Sequence, residues 1–144
     1  MAETGGGVTE VINAPVDKIV DALMDFDSYP EWQGSVLRIE VLERDAEGRG
    51  SLIHMNVDAK IKKLQYTVRY TYDLPNGYSW EQTEGDLKEN TGRYSFKPLE
   101  DGSTEVTVET VTEVGFFVPA PMKKLIAEQS MKNSIRELKK RVEG

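Results

Sequence analysis

The chain has no cysteine and a single histidine, His54. A disulfide framework, a thiolate nucleophile, a sulfur-ligated zinc or iron centre and a polyhistidine metal site are therefore excluded, and no metal ion or cofactor is expected. No apolar run approaches the ~20 residues of a membrane-spanning helix. The opening Met1-Ala2-Glu3-Thr4-Gly5-Gly6-Gly7 has neither the basic start nor the apolar stretch of an export signal, so cytoplasm is the expected address. Positive charge is scarce: 18 Lys and Arg against 25 Asp and Glu leave a formal charge of −7. That balance disfavours a phosphate backbone or an anionic bilayer, so neither nucleic acid binding nor stable membrane insertion is expected. No G-x-G-x-x-G or G-K-[ST] pattern follows the three glycines, and residues 1–7 read as a frayed lead-in.

What remains is ordinary globular usage, and 144 residues suffice for one hydrophobic core without staples. A single domain over 8–144 is expected, because no repeat, low-complexity tract or linker interrupts it. The basic clusters Lys60, Lys62, Lys63 and Lys132, Arg136, Lys139, Lys140, Arg141 read as solvated faces.

The apolar periodicity changes along the chain. Val8 to Asn13 alternates as a first strand. Pro15 suits a first helical position, and Val16, Ile19, Val20, Leu23 and Met24 follow at helical spacing. Ser28 and Glu31 have the form of a capping box for a short second helix around Tyr29-Pro30. After Gly34 the period becomes two: Leu37, Ile39 and Val41; then Ile53, Met55 and Val57, with His54 outward; then Leu64, Tyr66, Val68, Tyr70, Tyr72 and Leu74. Turns at Asp45 to Gly48, Pro75-Asn76-Gly77, Gly85-Asp86 and Asp101-Gly102 separate further strands, Tyr78 to Glu84, Glu89 to Pro98 and Thr104 to Val114. Short turns without crossover helices predict an antiparallel meander. From Pro119 a last helix runs to about Val142 with two apolar arcs, Met122, Leu125 and Ile126 against Met131, Ile135, Leu138 and Val142. Two arcs predict a bend, or a first turn that covers a different surface from the rest.

Residues 14–32, Ala14-Pro15 through Leu23, Asp25, Tyr29-Pro30 and Trp32, resemble the A-P-x-x-x-V-x-x-x-[LM]-x-D-x-x-x-Y-P-x-W signature of the START-like polyketide cyclase/dehydrase (SRPBCC) family. The likeness extends through Val41 to Asp45, Tyr70 to Asp73, Trp80, Gly85, Asp101 to Val106 and Leu138 to Glu143. The resemblance implies an α+β helix-grip fold, a curved antiparallel sheet of about seven strands around a long C-terminal helix, with two short helices after the first strand. It also implies a cavity for lipids, isoprenoid quinones, polyketides or similar ligands, and leaves open whether any reaction occurs.

Strand parity supplies candidate walls. Met55, Val57, Val68, Val106 and Val108 are apolar; Tyr66, Tyr70, Tyr72, Trp80, Gln82 and Tyr94 add rings with polar ends. The candidate ligand-binding set is completed by Trp32, Phe96, Phe117, Met122, Ile126 and Met131. Met24, Met55, Met122 and Met131 are also ordinary core fillers. A general base would need a group titrating near neutrality inside the cavity, and Glu84, on Trp80's face, is the one candidate, with a rim position as its alternative. Arg69 and Arg93 face outward by parity. The expected function is binding or transport of a small hydrophobic molecule by a monomer or homodimer. The alternatives are a cyclase or dehydratase acting in the same cavity and a non-catalytic interaction module. The Phe116 to Ala120 segment reads as a gate, as a site of transient membrane contact, or as a staple ahead of the last helix.

Overall fold

The computed structural model describes residues 4–59, 62–115 and 117–144, with side chains from Gly7 onward. Lys60 of the first basic cluster and Phe116 of the gate segment lie outside the described residues.

Seven strands form one sheet: β1 (Thr4–Ile12), β2 (Val36–Arg44), β3 (Gly50–Asp58), β4 (Lys63–Asp73), β5 (Gly77–Gly85), β6 (Leu87–Pro98) and β7 (Thr104–Val114). Their spatial order is β1-β7-β6-β5-β4-β3-β2 and every pairing is antiparallel. Helix α1 (Val16–Met24), a 3-10 turn (Phe26–Ser28) and the short α2 (Tyr29–Trp32) carry the chain from one sheet edge to the other. Helix α3 (Ala120–Glu143) lies in the curve of the sheet. This is the helix-grip fold that the family resemblance implied.

Period-two patterning explains the sheet's two faces. On β4, Leu64 and Val68 are buried and Tyr66, Tyr70 and Tyr72 half-buried, while Gln65, Arg69, Thr71 and Asp73 are exposed. Arg69 reaches Glu43 at 3.8 Å on the outer surface, and His54 bonds Thr67 there at 2.9 Å. Helix α1 buries Ile19 and Leu23, and α3 buries Met131, Ile135, Leu138 and Val142, all against one core with Ile12, Phe96, Val106 and Val108. Thr104 Oγ1 donates to the Ala14 carbonyl at 2.8 Å in this core, where an unpaired hydroxyl would be costly. At the far end of α3, Glu143 accepts from the Asn13 amide at 2.8 Å and from Lys139 Nζ at 2.7 Å, while Lys139 also donates to the Val11 carbonyl.

Four local expectations are corrected. Strand β1 begins at Thr4 and not at Val8, because Gly5, Gly6 and Gly7 pair with Val111, Thr110 and Glu109; glycines carry no alternation signal, yet their backbones hydrogen-bond as well as any. Pro15 is the residue before α1 and not its first position. The capping box does not form: Ser28 is in helical conformation and its hydroxyl donates to Asp25 at 2.7 Å. Leu37 is 48% exposed and Val36 is the buried residue, since a register shift between Val36 and Arg38 inverts the parity at the start of β2.

Candidate functional site

A cavity of about 280 Å³ lies between the first half of α3 and the end of the sheet that carries the β3–β4 and β5–β6 turns. The geometry follows from which elements send large side chains inward. The far end of the sheet is filled by α1 and the second half of α3, whereas the near end faces smaller or more distant residues of α3, Ala127, Ser130 and Ile126. Its apolar wall is built by Met55, Val57, Leu64, Val68, Val108 and Met131. Ala59, Val114 and Lys123, near the ends of β3, β7 and α3, form the rim, with the buried Val118 beside them.

One wall is aromatic. Tyr70 stacks with Tyr78 (centroids 5.6 Å apart, planes at 24°) and with Trp80 (6.1 Å, 29°), and the ring series continues through Tyr94 to Phe96. Trp80 rests on Gly92, its cross-strand partner: a Cβ there would come within 2.2 Å of the indole, so glycine is required for that ring to lie flat.

The tyrosine hydroxyls fall into two groups. Tyr29 donates to the Leu23 carbonyl at 2.6 Å and Tyr72 to the Gly50 carbonyl, so both are closed on backbone. Tyr66, Tyr70, Tyr78 and Tyr94 line the cavity, with Asn90 beside the Tyr66 hydroxyl, Ser134 beside that of Tyr94 and Tyr29 beside that of Tyr78. Burial raises all of them, Tyr66 to about 12 with a partial offset from Asn90, Tyr94 with a partial offset from Ser134, and Tyr70 and Tyr78 well above the usual phenol value. At neutral pH each is a neutral phenol that donates and accepts hydrogen bonds and is not a base. Further neutral polar groups come from Asn90, Thr110 and Thr112, and from Gln33 and Ser134, which bond each other twice, at 3.2 and 3.1 Å, and so tie α2 to α3.

Of the residues proposed from sequence, Met55, Val57, Tyr66, Val68, Tyr70, Trp80, Tyr94, Val108, Ile126 and Met131 line the cavity. Six do not. Trp32 packs edge-on against Tyr29 at 5.2 Å behind the wall. Tyr72 is held away by its Gly50 bond and by the Arg49 guanidinium 5.6 Å over its ring. Phe96 belongs to the solid end, 7% exposed. Gln82 is drawn sideways to donate to the Leu87 carbonyl at 2.6 Å, where β5 and β6 have stopped pairing, and its Oε1 is left buried without a donor. Phe117 is 89% and Met122 46% exposed, on the outside of the α3 entry. Glu84 is exposed at the end of β5 and is not part of the cavity, which removes the candidate base.

Sequence reasoning missed Tyr78, Asn90 and Thr112, each of which shares parity with a residue it did identify: Trp80, Tyr94 and Val108. Leu87 enters the wall only because of a register shift between Leu87 and Glu89. No sequence signal marks Gln33 and Ser134, whose contact spans 101 residues. Among the described residues no cluster of acidic groups and histidine is arranged to hold a metal, and no helix is long and apolar enough to cross a membrane.

A curved sheet gripping one helix over a small-molecule cavity defines the structural class. Residues 7–143 match the family described as polyketide cyclase / dehydrase and lipid transport, and the chain belongs to it. Among solved structures it is similar to a START superfamily protein from Mycobacterium smegmatis, 26% identical over 96% of this chain and 97% of that one, with a TM-score of 0.89. It also shares the fold of the Zhui aromatase/cyclase from Streptomyces sp. R1128, 16% identical over 98% and 94% of the two chains at a TM-score of 0.85. A protein from Thermus thermophilus has the same fold, 19% identical over 97% and 96% at 0.82. No curated protein matches.

Proposed function

We propose that this protein binds and carries a small, largely apolar molecule in the cavity between sheet and α3, without chemically changing it. The observation that carries the reading is the make-up of the wall: apolar side chains and a stacked aromatic face, with neutral phenol hydroxyls and no carboxylate or imidazole among the described lining residues. Apolar walls with a few oriented polar groups suit reversible ligand binding. Ring closure or dehydration needs a proton acceptor effective near neutrality, and burial moves every lining tyrosine away from that role. The cyclase reading rests on a shared fold at 16% identity and on hydroxyls able to polarise a carbonyl, which is less than the reaction requires.

The test is uptake of N-phenyl-1-naphthylamine, an uncharged fluorophore that brightens in apolar surroundings. The wild-type protein is expected to bind it saturably, and Ala127→Phe, which fills the cavity from α3, to bind at least about tenfold more weakly while remaining folded. Equal uptake by both proteins would place the probe elsewhere and remove the cavity as the binding site.

A further inference from the structure

We propose that the cavity selects by charge: it takes apolar molecules whose polar ends are neutral oxygen functions, carbonyl or hydroxyl, and rejects their carboxylate or phosphate counterparts. The inference rests on the binding reading above and adds the chemical class of the ligand.

Apart from Lys123, every polar side chain among the described lining residues is uncharged. Tyr66, Tyr70, Tyr78 and Tyr94 present neutral phenols to the cavity, and Asn90, Thr110 and Thr112 add amide and hydroxyl groups beside them. These hydroxyls match a ligand oxygen that accepts from a phenol, and an enclosed donor left unused is costly, so a ligand bearing such an oxygen gains over a pure hydrocarbon. An anion meets the opposite situation. Taking a carboxylate from water into a low-dielectric interior is expensive unless a cation or several strong donors receive it. The one charged lining residue among those described is Lys123, half-buried in the first turn of α3 at the rim. Arg69 and Arg93 stand on the outer face, and Arg49 is engaged over Tyr72. Among the described residues no cation lines the wall beside Tyr70 and Tyr78.

The partner placement sharpens the contrast. Tyr29 and Tyr72, with similar chemistry, have given their hydroxyls to backbone carbonyls. Gln33 and Ser134 satisfy one another. Among the lining tyrosines, Tyr66, Tyr70, Tyr78 and Tyr94 are thus the ones not closed on a backbone carbonyl.

The experiment is displacement of N-phenyl-1-naphthylamine by matched pairs, 1-decanol against decanoate and 2-acetonaphthone against 2-naphthoate, at a pH well above the roughly 4 to 5 at which such acids ionise. The neutral member of each pair is expected to displace the probe at least about tenfold more effectively than its carboxylate. A probe that binds while the carboxylates compete as well as or better than their neutral partners would overturn charge selection and leave the binding reading intact; loss of that competition in Lys123→Gln would then assign the anion to the rim. A probe that never enters the wild-type cavity would overturn both.

Discussion

The two ends of the sheet are built from the same strands, yet one is solid and the other hollow. At the solid end Ile12, Ile19, Leu23, Phe96, Val106 and Leu138 are buried among one another, with α1 wedged beside the second half of α3. At the hollow end β3, β4 and β7 continue with equally regular alternation, but α3 answers them with Ile126, Ala127 and Ser130 and turns Leu125 outward, 64% exposed. The difference lies in what faces the sheet and not in the sheet. A continuous strand can therefore serve as core at one end and as binding wall at the other, and each end can be altered separately.

Truncation at the solid end should have the largest effect. Leu138→Ala leaves a void in a fully buried cluster and is expected to cost about 2–5 kcal/mol in denaturant unfolding, whereas Val57→Ala on the half-buried hollow wall should cost clearly less. Equal losses would mean that the two ends are packed alike. Overpacking comes next: Gly92→Ala forces its Cβ into the Trp80 ring and should cost about 1–3 kcal/mol, accompanied by a change in tryptophan emission and weaker probe uptake as the indole tilts into the cavity.

Removing one donor is smaller still. Tyr70→Phe keeps the stacked ring and deletes only the hydroxyl, so affinity for a ketone such as 2-acetonaphthone should fall by roughly 3- to 10-fold with stability nearly unchanged, whereas the same change at Tyr72, closed on Gly50, should leave affinity alone. The reverse pattern would exchange the two tyrosines' roles. The smallest expected effect concerns the latch at the end of α3. The Asn13 amide, and then Lys139, hold the Glu143 carboxyl below its usual value. The folded state therefore binds that proton less readily than the unfolded chain. The contribution is complete above the ordinary carboxylate range and is lost as pH falls through the depressed value. Glu143→Gln should thus lower stability slightly at neutral pH and make no difference in acid, which paired urea titrations at the two pH values would reveal.

Much of this comparison was legible in the sequence, because alternation over β4 and β7 and the heptad-like spacing of Met131, Ile135, Leu138 and Val142 report burial directly. Of the two apolar arcs of α3, Met131, Ile135, Leu138 and Val142 are buried, whereas Met122 and Leu125 are exposed and Ile126 lines the cavity. Parity failed where the register shifts: at Val36 against Leu37, and at Leu87, a single extra residue exchanges the faces without changing composition. It failed again where an inward residue is captured by a neighbour, as Tyr72 is by Gly50 and Gln82 by Leu87. Which half of an inward-facing strand is filled depends on contacts with α1 and α3, and no local pattern on the strand carries that information.

The claim that the hollow end holds a neutral apolar molecule is tested most directly by native mass spectrometry of freshly purified protein, followed by denaturation and organic extraction. A bound species of small mass, released on denaturation and recovered as an uncharged apolar compound, is the predicted result. A chain that flies at its bare mass, yields nothing on extraction and takes up no N-phenyl-1-naphthylamine would contradict it.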